Sequence, residues 1–284
     1  MNPSETTRRL VRAVLPRGLR NAIRHPQATM RAFLQRSRAW LKRYDAYEVR
    51  PGWTVTCHPS STQAFRAQNE NADCRAELDG FIRLCRPGMI LLDAGSHFGI
   101  FVLAAIQYGG PDARVLAVDP SAECATIFET NLRLSNALSQ THIVRAAVGD
   151  RDGQLEMLTT GAGGDFFMVA SEVHRADAVS IPQLTLASLA AMCPGRVTHL
   201  KMDVEGHEVA IVPGNREWLR ATKPLLFLEL HGDLIRSRGQ DPLATLQLLE
   251  ECGYERWESN NLPITITTAA SLSLARIIGY PTGT

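Results

Sequence analysis

The chain has no apolar run of about 18–20 residues, the length a helix needs to cross a bilayer. Leu10–Leu15 is too short and interrupted for a secretion signal, and no adequate apolar region follows Arg8-Arg9 to make a twin-arginine signal. Six cysteines, at 57, 74, 85, 124, 193 and 252, are scattered without a C-x-x-C, which argues against a disulfide framework and for a reducing, cytoplasmic setting. Aromatics make up 6% and do not interleave with the basic residues, so no nucleic-acid partner is expected. No internal repeat, low-complexity tract or recognised metal-ligand spacing is present. The G-x-G-x-x-G loop of dinucleotide-binding sheets is missing too.

What is there begins with an uneven charge. Residues 1–50 hold twelve Arg and Lys against three acids, whereas the rest holds eighteen against twenty-six. Residues 1–45 form a basic arm with apolar residues at helical spacing (Leu10, Val14; Leu19, Ile23; Met30, Phe33, Leu34), divided by Pro16 and Pro26. Packing on the body or homo-oligomeric self-association is the favoured reading of this arm. Peripheral contact with an anionic membrane is the alternative.

Residues 46–88 read as a lead-in that packs on the core. It comprises a strand or hairpin over Glu48–Thr56 with a Pro51-Gly52 turn, then a helix over Gln63–Cys85. Residues 89–284 then alternate. Strands are expected at Ile90–Leu92, Val115–Val118, His142–Val148, His199–Asp203 and Leu225–Leu230. Helices are expected at Ile100–Gln107, Ala122–Asn136, Leu184–Met192, His207–Leu219 and Pro242–Cys252. This alternation predicts an α/β fold, a doubly wound, mostly parallel sheet covered on both faces. Residues 151–182 are an insertion around Gly161-Ala162-Gly163-Gly164, a candidate substrate lid, and the tail offers further strands at Ile264–Thr267 and Ala275–Gly279.

In such a sheet, ligands bind beyond the carboxyl ends of the strands. The strand ends are polar: Asp93, Asp119, Asp150, Asp203-Val204-Glu205-Gly206-His207-Glu208 and Glu229-Leu230-His231. After Asp93 comes Ala94-Gly95-Ser96-His97-Phe98-Gly99, a loop with one glycine fewer than a diphosphate cradle and with His97 where the middle glycine would stand. Gly95, Ser96, His97 and Gly99 therefore suit a ligand with an amino-acid tail and a ribose but no phosphate, which describes S-adenosylmethionine. Asp93 is the candidate for its ammonium, Asp119 for the ribose hydroxyls and Asp150 for the adenine amino group, against readings in which each carboxylate merely caps a turn. Asp203, Glu205 and His231 are the candidate catalytic residues. Asp203 or His231 would be the base and Glu205 would position the acceptor, while Glu208 would serve the helix dipole. Asp203, His207, Glu229 and His231 would also permit a divalent metal, but none is expected, since their spacing matches no recognised metal motif.

The ordered segments L-L-D-A-G-S-H-F-G-I-F, A-V-D-P with Asn131 downstream, A-A-V-G-D-R-D-G, L-T-L-A-S-L, L-K-M-D-V-E-G-H-E and K-P-L-L-F-L-E-L-H resemble the FkbM family of S-adenosylmethionine-dependent methyltransferases over roughly residues 70–260. The resemblance implies a class I methyltransferase sheet of seven strands, one of them antiparallel near the edge. It also implies O-methylation of a sugar, glycolipid or natural product. Ser96-His97 stands where the family usually has Ala-Asn, and His207 where a smaller residue is usual. The rival expectations are a nucleic-acid methyltransferase using the basic arm, an NAD-dependent oxidoreductase and a non-catalytic cofactor-binding scaffold.

Overall fold

A computed structural model describes residues 44–159, 166–168 and 178–283. The chain divides into two units, Met1–Asp45 and Ala46–Thr284, and the second carries the sheet and the candidate site. The basic arm, apart from its last two residues, and the Gly161–Gly164 loop lie outside the described residues. Among those described, no helix is long and apolar enough to cross a membrane.

The lead-in is a hairpin, β1 (Asp45–Arg50) and β2 (Trp53–Cys57), joined at Pro51-Gly52 where Gly52 has φ +79°. Two helices follow in place of the single one expected: α1 (Pro59–Glu70) and α2 (Ala72–Leu84). Asn71 divides them, because its side chain accepts hydrogen bonds from Asp73 N and Cys74 N and so caps the second helix.

The central units follow in order: β3 (Ile90–Ala94), α3 (Ile100–Gly109), β4 (Arg114–Val118), α4 (Ala122–Leu134) and β5 (Thr141–Val144). Next come β6 (Ala147–Val148), β7 (Gly153–Thr159), β8 (Phe166–Met168), β9 (Ala178–Leu184) and α5 (Leu186–Ala190). The second half holds β10 (His199–Met202), α6 (Glu208–Gly214), α7 (Arg216–Thr222), β11 (Leu225–Leu230), α8 (Gly232–Ser237) and α9 (Pro242–Glu251). It closes with β12 (Tyr254–Ser259), β13 (Leu262–Pro263), α10 (Ile266–Ser271) and β14 (Ala275–Pro281).

One eight-stranded sheet runs β13-β12-β14-β11-β10-β3-β4-β5. Strands β5, β4, β3, β10 and β11 are mutually parallel, and β14 inserts antiparallel between β11 and β12. The chain winds outward from β3 in both directions, so β3 and β10 flank the point where strand order reverses, as the alternation predicts. Side chains alternate between two cores. Leu91, Val115, Ala117 and Phe227 join α2 and α3 on one face, while Leu92, Leu116, Leu200, Met202 and Leu228 pack on the other.

Three further expected elements come out differently. The strand expected over His142–Val148 breaks after Val144, and β6 leaves for a separate four-stranded sheet, β6-β9-β7-β8, which contains much of the described part of the insertion. The helix expected over His207–Leu219 breaks at Asn215, whose φ is −117° and whose side chain bonds Leu186 N, Gly149 O and Ile211 O. Ile264–Thr267 is not a strand, because Thr265 accepts a hydrogen bond from Thr268 N and starts α10.

Asn131 joins the lead-in to the central loop. It is fully buried; its oxygen accepts from His58 N at 2.9 Å and its amide donates to Ser61 Oγ at 2.8 Å and Phe98 O at 2.9 Å. Asn131→Ala leaves these groups without partners and is expected to cost about 3 kcal/mol in urea unfolding.

Candidate active site

Loop 95–99 is shaped by close approach. Gly95 has φ +86°, and a Cβ there would lie 1.9 Å from the Asp203 carbonyl oxygen. Gly95 N and Ser96 N both donate to Val118 O, and Asp203 N donates to Ala94 O, so the ends of β3, β4 and β10 are tied together. His97 takes φ +46°, and its backbone N–H donates to Asp119 Oδ2 at 2.8 Å. Asp119 Oδ1 accepts from Ser121 N at 2.8 Å. Both Asp119 oxygens thus hold backbone, each keeping a further lone pair for a ligand. Burial raises this carboxyl to about 6 despite the two backbone bonds that pull it down.

Asp93 is 1% exposed, and neither carboxylate oxygen has a hydrogen-bond partner. Burial pushes its carboxyl up to about 7; the nearby Lys201 opposes this, and Asp203 and Asp119 add to it. Ser96 Oγ beside it is also buried without a partner.

Lys201 stands opposite Asp93 in register on β10 and is fully buried. Its Nζ lies 3.4 Å from Asp203 Oδ2, 3.8 Å from Glu229 Oε1 and 4.5 Å from the centre of the Phe101 ring. Burial would lower this ammonium's basicity, but the surrounding carboxylates raise it further. Glu229 also meets Arg276 Nη2 at 3.0 Å. A charged row therefore crosses β3, β10, β11 and β14 on an otherwise apolar face.

Asp203, Glu205 and His231 come together beyond the ends of β10 and β11. His231 Nε2 lies 3.4 Å from Glu205 Oε2 and 3.8 Å from Asp203 Oδ1. Its Nδ1 meets Glu208 Oε1 at 3.0 Å. Burial alone would lower the imidazole, yet the bond to Glu208 and the charges of Glu208, Asp203 and Glu205 raise it to about 9. Asp203 would be raised by burial, but Lys201 and then His231 hold it below the ordinary carboxylate range. Glu205 has φ +53°, and Arg238 donates to the carbonyls of Glu205 and Gly206 at 3.2 and 2.8 Å, which fixes this loop. His207 is driven down to about 4, first by burial and then by Arg238 and His231.

Asp203, Glu205 and His231 can each bring one ligand atom within 4.8 Å of the others, a spacing that suits a divalent cation.

Asp150 is placed differently from expectation. The central strand ends at Val144, and Asp150 lies in the turn between β6 and β7, accepting from Gln183 Nε2 at 3.0 Å. Sequence reasoning passed over Lys201 and gave Glu208 only a helix-dipole role. A lysine flanked by Leu200 and Met202 in a central strand is a buried-charge signal that could have found the first. Nothing local marks the second, whose partner lies 23 residues further on.

Strands wound outward from a glycine-turn strand, with one antiparallel strand inserted near the edge and acids at the carboxyl ends, define the Rossmann-like sheet of class I methyltransferases. The chain belongs to the methyltransferase FkbM domain family, which it matches over residues 93–256. Among solved structures it is similar to an FkbM methyltransferase from Methylobacillus flagellatus KT, with 14% identity and a TM-score of 0.42, covering 78% of this chain and 55% of that one. It is also similar to a precorrin-6y C5,15-methyltransferase from Geobacter metallireducens GS-15, with 12% identity and a TM-score of 0.41 over 74% of this chain and 88% of that one. A putative rRNA methylase from Clostridium thermocellum shows 8% identity and a TM-score of 0.44, covering 74% and 98%. The chain thus spans about half the length of the Methylobacillus protein. No curated protein sequence matches it.

Proposed function

We propose that the protein transfers a methyl group from S-adenosylmethionine to a hydroxyl of a sugar, glycolipid or natural-product acceptor. Family membership supports the reaction type. The observation that carries the donor is Asp93, a fully buried carboxylate with both oxygens unpartnered. Leaving a carboxylate so is costly unless a cation completes it. The ammonium of the donor's methionine tail fits, with the Ser96 hydroxyl and the backbone of loop 95–99 beside it. Asp119 offers its remaining lone pairs to the ribose.

The donor, when bound, supplies an electrophilic methyl group on a sulfonium. The chain's own residues align the acceptor and manage its proton. Asp203 stays ionised beside Lys201 and accepts the hydroxyl proton. His231 presents Nε2–H to the same oxygen, and Glu205 hydrogen-bonds a neighbouring acceptor group. The six acids Asp93, Asp119, Asp203, Glu205, Glu208 and Glu229 outnumber the four cations Lys201, His231, Arg238 and Arg276 here. That balance disfavours a phosphate backbone and supports an uncharged or glycan acceptor over nucleic acid.

Calorimetric titration of the full chain with S-adenosylhomocysteine tests the donor pocket. Tritiated S-adenosylmethionine offered with methyl glycosides, glycolipids or total RNA tests the acceptor class. Label in the sugars as a methyl ether supports the proposal, and label confined to RNA overturns it. Asp203→Asn is expected to lower turnover about 100-fold while S-adenosylhomocysteine affinity stays within about threefold. Undiminished turnover would remove Asp203 as the proton acceptor.

A further inference from the structure

Glu208 stands in the first turn of α6, where an acid favours the helix dipole. That role does not require burial. Asp73, Glu123, Glu217 and Asp233 occupy the first turns of α2, α4, α7 and α8, and all four are exposed. Glu208 is 0% exposed. One of its oxygens, Oε1, is 3.0 Å from His231 Nδ1 and accepts from Gly206 N at 3.2 Å, while Oε2 has no partner. A dipole contribution of about 0.3–1 kcal/mol does not offset burying a carboxylate that is only partly satisfied. Its partner explains the burial better. The bond to Nδ1 fixes the ring plane of His231 and turns Nε2 toward the gap bounded by Asp203 and Glu205.

We propose that Glu208 is a positioning residue that acts through His231, forming a buried carboxylate–imidazole dyad that aims Nε2 at the acceptor oxygen. This rests on the methyl-transfer reading of the pocket and adds a residue to it. The arrangement follows the general logic in which a buried carboxylate holds an imidazole in one orientation for work at its other nitrogen. His231 is only 11% exposed on its side chain, so the ring has little freedom once Nδ1 is bound.

The decisive readout is the imidazole N–H proton in the full chain labelled with 15N-histidine and saturated with S-adenosylhomocysteine. Wild type is expected to show a low-field Nδ1–H resonance, assigned by its loss in His231→Gln. Glu208→Gln should move it strongly upfield, and Glu208→Asp should retain part of the low-field shift. Donor-product affinity in Glu208→Gln should stay within about threefold. With an acceptor from the glycoside panel, kcat should fall about 100-fold at little-changed KM. A folded wild type without the low-field signal overturns the proposal with no variant needed. So does a Glu208→Gln protein whose His231 resonance is unmoved, or one that loses only melting temperature. Failure of wild type to bind S-adenosylhomocysteine would instead sink the methyl-transfer reading, and the resonance in the unliganded protein would still report on the dyad.

Discussion

Asp93→Asn is expected to weaken donor binding severely and to make the unliganded protein more stable. Asp93 is held at about 7 by burial, from an ordinary 3.8. A carboxyl raised on folding costs nothing below its unfolded value, where it is neutral in both states. Its penalty grows as pH rises through the window from about 4 to about 7 and is complete above it. The penalty is on the order of 4 kcal/mol at most, and an asparagine carries only that of a neutral amide. At pH 8 the variant should gain about 1–2 kcal/mol, or roughly 3–6 °C in melting temperature, and below pH 4 the gain should vanish. S-adenosylhomocysteine affinity should fall at least about 100-fold, a loss of about 3 kcal/mol, since a charged partner is removed from a dry pocket. In wild type the same carboxyl makes affinity fall up to about tenfold per pH unit below 7. Binding should therefore strengthen as pH rises to about 7 and level off above it by calorimetry. A flat profile, or a less stable Asp93→Asn at pH 8, contradicts the assignment.

Gly95→Ala should have the largest effect on folding. The new Cβ would sit 1.9 Å from the Asp203 carbonyl oxygen and 3.0 Å from its carbon, and both atoms are backbone. That backbone cannot retreat freely, because Asp203 N is bonded to Ala94 O at 3.0 Å. The residue also has φ +86°, which costs an L residue about 1–2 kcal/mol on its own. A total loss of about 4–5 kcal/mol is expected in urea unfolding, with donor binding gone in whatever remains folded. Gly88→Ala is the control. It has φ +73° with nothing within 4 Å of the added Cβ, so it should lose only the backbone share. Equal losses in the two variants would show that the contact with β10 does not matter.

The central sheet was legible because its strands are apolar runs that end abruptly in polar residues. Leu91-Leu92-Asp93 and Leu200-Lys201-Met202-Asp203 could be read for that reason, and the site carboxylates came with them. Breaks within continuous patterns could not be read. Arg145-Ala146-Ala147-Val148 continues the composition of β5, and only its pairing with β9 shows that the chain has left the central sheet. Asn71 starts a helix and Asn215 ends one through side-chain bonds, those of Asn215 reaching residues far away in sequence. Ile264-Thr265-Ile266-Thr267 is rich in β-branched residues and reads as a strand, yet a threonine hydroxyl caps a helix there. Glu208 was invisible for a different reason. A first-turn acid looks the same in sequence whether it faces water or an imidazole.

The insertion of β14 has a consequence for how the sheet is held together. Strand β12 joins the central sheet only through β14, and β13 only through β12. Arg276, the cation beside Glu229 and Glu77, also arrives on β14. Until β14 is in place, β12 and β13 have no neighbour in this strand order through which to join the central sheet. A chain that stopped before Ala275 would lose three strands, and two buried acids would keep no guanidinium to face.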